Sequence, residues 1–245
     1  MQHPNIVEFQ VCGDYALFSD PITRVGGEKC TYQVPTYEAL KGILASVYWK
    51  PTIIWYIDSV RVMSRIRTEV KGVRPIKYNG GNDLAYYTYL KDCVYQVRAH
   101  FEWNMNRPEL AGDRNENKHH EIAKRMIRKG GRRDVFLGTR ECQGYVEPCV
   151  YGEGKSWYDD LEMLTFGLML HGMTYADEAY SEETQNAMTA RFWYPRMVHG
   201  EIDFPRPEEC TITKKIHEMR VKPFGGDTGH FTGLTDFGEA EPIWD

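Results

Sequence analysis

Four stretches of the first 150 residues carry the alternation or the composition of β-strands. Residues 6–13 (IVEFQVCG) and residues 93–103 (CVYQVRAHFEW) alternate apolar and polar side chains, which predicts strands with one buried face. Residues 52–64 (TIIWYIDSVRVMS) are rich in β-branched and aromatic side chains, and residues 132–148 (RRDVFLGTRECQGYVEP) resume that composition. Both patterns are typical of strands.

The first of two helical segments lies in residues 35–51 (PTYEALKGILASVYWKP). Thr36 is placed to cap a helix that ends at Lys50–Pro51. Tyr48 would flank the core side of this helix, about 90° from the centre of its apolar stripe. The stripe consists of Leu40, Ile43, Leu44 and Val47.

The second helical segment is residues 115–131 (NENKHHEIAKRMIRKGG). Gly130 and Gly131 provide its C-terminal signal. Its predicted buried stripe consists of Ile122, Ala123, Met126 and Ile127.

The predicted order is strand, helix, strand, strand, helix, strand, with residues 65–91 as an insertion or a long irregular connection. This is the βαββαβ arrangement of a ferredoxin-like (RRM-like) domain, an α+β fold whose helices cover one face of an antiparallel sheet. The other face is then free for RNA or a partner chain. We expect this domain to span residues 1–150.

The sequence changes character after residue 150. Residues 151–222 contain only short strand-like pieces, with His199–Gly200 as a hairpin turn, and predict a smaller β-rich C-terminal domain. Residues 223–245 are rich in glycine and acidic residues, which predicts a flexible acidic tail.

Charge is distributed unevenly along the chain, whose net charge is −5. Residues 1–150 hold 22 Lys and Arg against 17 Asp and Glu, whereas residues 151–245 hold 8 against 18. The N-terminal part is therefore basic and the C-terminal part acidic. No apolar run approaches a membrane span and no signal peptide begins the chain, so we expect a cytoplasmic protein without a membrane partner.

Lys118, His119 and His120 stand at the head of the second helix. His119 points toward the buried stripe, where it could be half-buried and still reach solvent, and its two neighbours flank it. Adjacent histidines lie about 100° apart on a helix and cannot converge on one ion. The six cysteines show no C-x-x-C spacing, so no metal site is expected. The cluster is therefore either the polar start of a surface helix or a site for an anionic ligand.

The surrounding charge favours the anionic ligand. Positions 118 to 133 hold seven basic residues and one acidic residue, a density typical of contacts with a nucleic-acid backbone. A histidine can move a proton near neutral pH. A lysine beside it can stabilise the negative charge that develops on a reacting phosphate.

Six longer motifs follow one another over roughly residues 5–150: FQVCGDYALFSDP, VPTYEALKGILASVYWKP, KGVRPIKYNGGN, AHFEWNMNRPEL, DRNENKHHE and GGRRDVFLGTRECQGYVEPC. A looser match, including HGEIDFPRPEEC, continues beyond them. With these motifs the chain resembles the subtype I-C CRISPR-associated proteins of the fifth family, members of the RAMP superfamily.

The resemblance implies metal-independent cleavage of CRISPR precursor RNA within its repeat, next to the stem-loop and without a cofactor. The protein would then stay on the mature guide RNA as a subunit of the type I-C surveillance complex of a prokaryotic cell. The resemblance also assigns catalysis to Tyr48, Lys118 and His119. RNA contacts are expected at Arg125, Arg128, Lys129, Arg132 and Arg133, and also at His120, for which a role as substitute for His119 in catalysis stays open.

Two hypotheses follow. In the first, the chain is an endoribonuclease that uses the RNA 2′-hydroxyl as nucleophile, with Lys118 stabilising the phosphorane. Tyr48 and His119 then act as base and acid, in an order that the sequence does not decide. In the second, the chain is a non-catalytic subunit that binds the 5′ end of the guide and anchors partner subunits.

Overall fold

The alternating segments of the first 150 residues form strands of one antiparallel sheet. The computed structural model describes residues 4–221, which adopt an α+β fold with antiparallel sheets. In chain order the helices and strands are β1 (Val7–Ala16), α1 (Tyr37–Val47), β2 (Ile53–Val62), β3 (Thr68–Val73), β4 (Ala85–Trp103), α2 (Glu116–Arg128), β5 (Val135–Phe136), β6 (Gln143–Pro148), β7 (Leu164–Thr165), β8 (Met169–Thr174), β9 (Ala187–Trp193), β10 (Arg196–Met197), β11 (Glu201–Asp203) and β12 (Ile212–Glu218).

The main sheet has the strand order β11-β2-β4-β1-β6-β5. β4 is long enough to pair with two strands on the same side, β2 along its C-terminal part and β3 along its N-terminal part. Alternate residues of the central strands, such as Phe9 and Val97, are fully buried and join the apolar sides of both helices in one core. This packing places both helices against the same sheet.

Helix α1 begins as predicted. The Thr36 side chain accepts a hydrogen bond from the main-chain N–H of Ala39 at 3.1 Å, and the predicted stripe is buried. The helix ends earlier than expected, because Tyr48 is its C-cap and has extended dihedral angles (φ −155°, ψ 124°). The prediction that Tyr48 lies on the helix is therefore wrong: it occupies the extended residue that leads toward β2.

Helix α2, unlike α1, has both of its ends where the sequence predicts them. Asn115 caps it by accepting a hydrogen bond from the N–H of Lys118 at 3.0 Å. At the other end Gly130 has φ 79°, in the left-handed region that glycine enters without strain, and the N–H of Gly131 donates to the carbonyl of Met126 at 2.9 Å. These contacts close the helix in the manner of a Schellman motif.

Residues 65–91 are not a long irregular connection, and that alternative of the prediction is wrong. They contain β3 and the first part of β4, paired from Thr68 opposite Leu90 to Val73 opposite Ala85. Every side chain of β3 is exposed or partly exposed. Because neither face is fully buried, the segment lacks the apolar alternation by which a strand is recognised.

The second face of the sheet is not wholly free, contrary to expectation. The segment after β6 crosses it and buries Tyr151, whose N–H donates to the Glu8 carboxylate at 3.1 Å. The carbonyl of Glu153 accepts hydrogen bonds from the side chains of Gln96 (2.8 Å) and Arg61 (3.4 Å). Polar side chains that alternate with the core residues hold this segment in place.

After residue 150 the chain forms short strands, as predicted. β8, β9 and β12 make a second sheet, whereas β11 pairs with β2 at the edge of the main sheet. The predicted turn at His199–Gly200 is confirmed, because both residues have positive φ (47° and 85°) and Val198 pairs with Glu201. The predicted tail, residues 223–245, lies outside the described residues. Within residues 4–221, no helix is both long and apolar enough to cross a membrane.

Candidate active site

The first turn of α2 points three neighbouring polar side chains in different directions. His119 faces the sheet and is 0% exposed, whereas the Lys118 side chain is 47% exposed. His120 lies between these extremes, and its Nε2 is 2.9 Å from the main-chain oxygen of Ile6. The expectation that His119 reaches solvent is wrong, because its position on the buried side of α2 brings it fully under the neighbouring chain.

Tyr48 reaches His119 from the end of α1. Its extended backbone leaves the helix axis, and its carbonyl accepts a hydrogen bond from Trp55 Nε1 at 2.7 Å, which fixes the direction of the chain. The Tyr48 Oη lies 2.8 Å from His119 Nδ1. Tyr48 is itself only 3% exposed, so the two predicted site residues meet in a buried hydrogen bond.

The second ring nitrogen decides which tautomer of His119 is present. His119 Nε2 lies 2.8 Å from the main-chain oxygen of Asp113, which can only accept a hydrogen bond. Nε2 therefore carries a proton, and in the neutral imidazole Nδ1 is then an acceptor to which the Tyr48 hydroxyl donates. Burial, and next the negative charge of Asp113, raise the pKa of Tyr48, which keeps its phenol protonated as this bond requires.

Aromatic side chains form the rest of the histidine's surroundings. The rings of Trp103 and Phe101 contact His119 edge to face, with centroids 5.7 and 6.1 Å away. Both residues belong to β4, the central strand of the sheet. They hold the imidazole plane rigidly, so that its two nitrogens face Tyr48 on one side and Asp113 on the other.

Asp113 is the residue of this site that the sequence did not reveal. Its carboxylate pairs with Lys118 Nζ and accepts a hydrogen bond from Thr52 Oγ1 at 2.9 Å. The bond from Lys118, more than any other contact, lowers the pKa of Asp113. Asp113 stands five and six residues before Lys118 and His119, outside the helix. Helical spacing therefore could not connect them, although the acidic residue within DRNENKHHE was a visible signal.

The predicted RNA-contacting arginines and lysines lie in the last turns of α2 and in the loop that follows it. The main-chain N–H groups of Arg132 and Arg133 donate to the carbonyls of Val47 (3.2 Å) and Ser46 (3.1 Å), which ties the loop after α2 to the end of α1. The charge of Arg132 acts to lower the pKa of Tyr48, against the larger effect of burial. Among the described residues, none of five exposed basic side chains forms an ion pair: Arg125, Arg128, Lys129, Arg132 and Arg133.

Side chains that could bind a metal ion do not cluster in the described part of the chain. Residues 4–221 contain no group of three or more His, Cys, Asp or Glu side chains arranged to hold a metal ion.

Comparison with known proteins gives consistent matches over most of the chain. The Cas_Cas5d family, described as CRISPR-associated protein (Cas_Cas5), matches residues 6–205. The CRISPR pre-crRNA endoribonuclease Cas5d of Mannheimia succiniciproducens is 32% identical over 233 residues, which cover 82% of this chain and 95% of that protein. The protein of the same name from Thermus thermophilus is 30% identical over 152 residues, 58% of this chain and 63% of the relative. A crystal structure titled as a CRISPR-associated protein superposes with a TM-score of 0.72 at 36% identity, over 85% of this chain and 96% of its own.

Proposed function

The chain belongs to the Cas5d family of CRISPR-associated proteins, and on that premise we propose that it is an endoribonuclease that processes CRISPR precursor RNA. It cleaves within the repeat, near the stem-loop, and then remains on the guide as a subunit of the type I-C surveillance complex in the prokaryotic cytoplasm. The relatives named as pre-crRNA endoribonucleases support the reaction class. The observation that carries the site assignment is the 2.8 Å contact between Tyr48 Oη and His119 Nδ1, beside Lys118.

The tautomer of His119 supports a definite path for the protons. The RNA 2′-hydroxyl gives its proton to Tyr48 Oη as the Tyr48 proton moves to His119 Nδ1. The 2′-oxygen attacks phosphorus and the bond to the 5′-oxygen breaks. His119 gives its Nε2 proton to that leaving oxygen, so one proton enters the pair and one leaves it. The products are a 2′,3′-cyclic phosphate and a 5′-hydroxyl, and no water is consumed.

This path assigns the base and acid roles that the sequence left open. Tyr48 is on the base side, since it faces the nitrogen that is free to accept, and His119 is on the acid side. Lys118 stabilises the extra charge on the phosphorane oxygens. A positioned acid–base group typically contributes about 10²–10⁴-fold to the rate.

The exposed basic residues in the last turns of α2 and in the loop after it bind the phosphates of the RNA backbone. Lys129, Arg132 and Arg133 follow α2 directly, and Arg125 and Arg128 lie on its last turns. Each phosphate they neutralise releases counterions, so RNA affinity falls steeply as salt rises. His120 completes this set as an RNA contact through its partly exposed ring.

We further assign residues 1–150 to a ferredoxin-like domain and residues 151–222 to a β-rich C-terminal domain. The antiparallel order β2-β4-β1-β6, with α1 after β1 and α2 after β4, supports the first assignment. The separate sheet of β8, β9 and β12 supports the second.

One observation favours the alternative function, a non-catalytic subunit that binds the 5′ end of the guide RNA. In this structure both ring nitrogens of His119 are hydrogen-bonded to protein groups, and the ring is buried. Catalysis therefore requires the contact with Asp113 to open. If the chain only binds RNA, His119→Ala leaves processing in cells intact, whereas charge reversal at Arg132 and Arg133 abolishes assembly.

The proposed reaction is tested by incubating repeat RNA with the purified chain in excess EDTA. A matched RNA carries a single 2′-deoxy substitution at the scissile nucleotide, and His119→Ala serves as the inactive control. We expect the unmodified RNA to be cut and the deoxy RNA to stay intact while binding equally well. Cleavage that requires a divalent metal, or that survives the deoxy substitution, contradicts the proposal.

A further inference from the structure

The carboxylate of Asp113 is the point on which the polar groups of the candidate site converge. Lys118 Nζ pairs with one oxygen, and Thr52 Oγ1 donates to the other at 2.9 Å. His119 Nε2 lies 3.5 Å from that second oxygen. An ammonium and a hydroxyl thus bind a single anion, and the imidazole N–H beside it donates to the main-chain carbonyl of the same residue.

A phosphodiester matches this carboxylate in the two properties that matter. Both carry one negative charge and both offer two acceptor oxygens, so the same donors satisfy either group. Asp113 is also reachable, because its side chain is 32% exposed. Asp113 therefore lies between the buried ring of His119 and the solvent.

The segment that carries Asp113 is weakly attached to the core. Residues Pro108–Asp113 form a short 3₁₀ helix without a single buried side chain, and a Cβ on Gly112 would meet nothing within 4 Å. The segment is anchored at its base, where Arg114 donates to the carbonyls of Asn104 (3.2 Å) and Arg107 (3.3 Å). Because the segment makes few buried apolar contacts, its local opening costs little free energy. It can therefore move without disturbing the sheet.

We propose that Lys118, Thr52 and His119 Nε2 form the subsite for the scissile phosphate, and that Asp113 occupies it as an internal anion until RNA displaces it. The inference rests on the proposed RNA cleavage and adds Thr52 to the groups that contact substrate. Displacement of Asp113 frees the Nε2 proton for the leaving oxygen and exposes the Tyr48–His119 pair. It also explains how a fully buried histidine reaches a substrate.

The first test compares Asp113→Asn with Glu109→Gln, which removes the same charge from the same segment without touching Lys118 or His119. Binding is measured by fluorescence anisotropy with repeat RNA that carries the 2′-deoxy substitution and cannot be cut. The carboxylate competes with phosphate for Lys118 through an exposed ion pair, so Asp113→Asn should bind about three- to fivefold more tightly. Unchanged or weaker binding, or equal tightening in Glu109→Gln, overturns the proposal.

The second test separates the internal anion from a positioning residue. At low RNA concentration the single-turnover cleavage rate of Asp113→Asn should exceed that of the unchanged chain by about three- to fivefold, because RNA no longer has to displace a carboxylate from the subsite. A lower rate there, with unchanged affinity, would assign Asp113 to positioning instead and would contradict the proposal.

Two further measurements address Thr52 and the motion. In the Asp113→Ala background, where the hydroxyl has no carboxylate to bind in the free chain, Thr52→Val should weaken RNA binding about three- to tenfold, the usual contribution of one hydrogen bond, and Thr52→Ser should restore it. Hydrogen–deuterium exchange of residues 108–113 should accelerate when the deoxy RNA binds, although bound RNA normally protects. Protection of this segment, or no effect of Thr52→Val, would overturn the assignment. If the unchanged chain binds RNA but never cuts it, the proposed function is wrong. The binding and exchange measurements then still show whether RNA displaces Asp113 from Lys118 and Thr52.

Discussion

Replacing Tyr48 by phenylalanine isolates the hydrogen bond between the residue that follows α1 and His119 of α2. The substitution removes one oxygen from a residue that is 3% exposed and leaves the ring packed as before. His119 Nδ1 then loses the donor that lay 2.8 Å away, while Nε2 keeps the carbonyl of Asp113. The change therefore leaves one buried acceptor without a partner.

The structure sets the size of both consequences. An unsatisfied buried polar group costs about 1–3 kcal/mol of unfolding free energy, which lowers the Tm of a chain of this length by about 2–12 °C. Domains are typically stable by about 5–15 kcal/mol, so the variant stays folded at 25 °C. Loss of the proton path should slow cleavage by about 10²–10⁴-fold. The loss of rate is thus far larger than partial unfolding can produce.

The assay pairs urea unfolding with single-turnover cleavage of repeat RNA in EDTA. Tyr37→Phe is the matched control, because Tyr37 is a buried tyrosine of α1 whose hydroxyl donates to the main-chain carbonyl of Trp55 at 3.4 Å. We expect that control to cut RNA at the unchanged rate. The reasoning is refuted if Tyr48→Phe loses stability as calculated but still cleaves at full rate, because the hydroxyl would then only support the fold.

Three other predictions concern RNA binding by the basic residues, the N-terminal cap of α2 and the pH dependence of the free energy of unfolding. Arg132→Ala and Arg133→Ala should each weaken RNA binding at every repeat sequence and reduce the slope of log K against log salt by about one; an unchanged slope in salt titrations would remove them from the interface. Asn115→Ala deletes the cap of α2 and should cost about 0.5–2 kcal/mol in urea unfolding, a loss that Asn115→Asp should avoid. Burial, and next the charge of Arg191, lower the pKa of His171 to about 3. Between this value and its ordinary pKa of 6.5, His171 binds a proton in the unfolded chain but not in the folded chain. The free energy of unfolding that this residue contributes above pH 6.5 is therefore lost as the pH falls toward 3. Between about pH 7.5 and 5 this residue should account for a loss of about 2 kcal/mol, and the loss should shrink in His171→Gln.

The helices and the central strands could be predicted because each has a single buried side. The stripe of α1 recurs at helical spacing, and β1 alternates Val7, Phe9 and Val11 toward the core. The β3–β4 hairpin could not be predicted in the same way, since every β3 side chain is exposed or partly exposed. Its pairing depends on backbone hydrogen bonds, which leave no mark on the pattern of side chains.

The candidate site was accessible to sequence reasoning only in part. The inward direction of His119 follows from its spacing to Ala123 and Met126, and the basic block is visible in the composition. The depth of burial was underestimated, because the segment beside His119 is the short 3₁₀ helix Pro108–Asp113, which lies outside α2. Asp113 was missed for the same reason: its carbonyl and carboxylate contact His119 and Lys118 from that segment, which helical spacing within α2 does not relate to them.

The end groups of the cleaved RNA test the central claim most directly. Mass spectrometry of both fragments, after cleavage of unmodified repeat RNA in EDTA, reports which oxygen attacked the phosphorus. A proton path from the 2′-hydroxyl through Tyr48 and His119 predicts a 2′,3′-cyclic phosphate on the upstream fragment and a 5′-hydroxyl on the downstream one. A 3′-hydroxyl together with a 5′-phosphate would mean that water was the nucleophile, and would contradict the account.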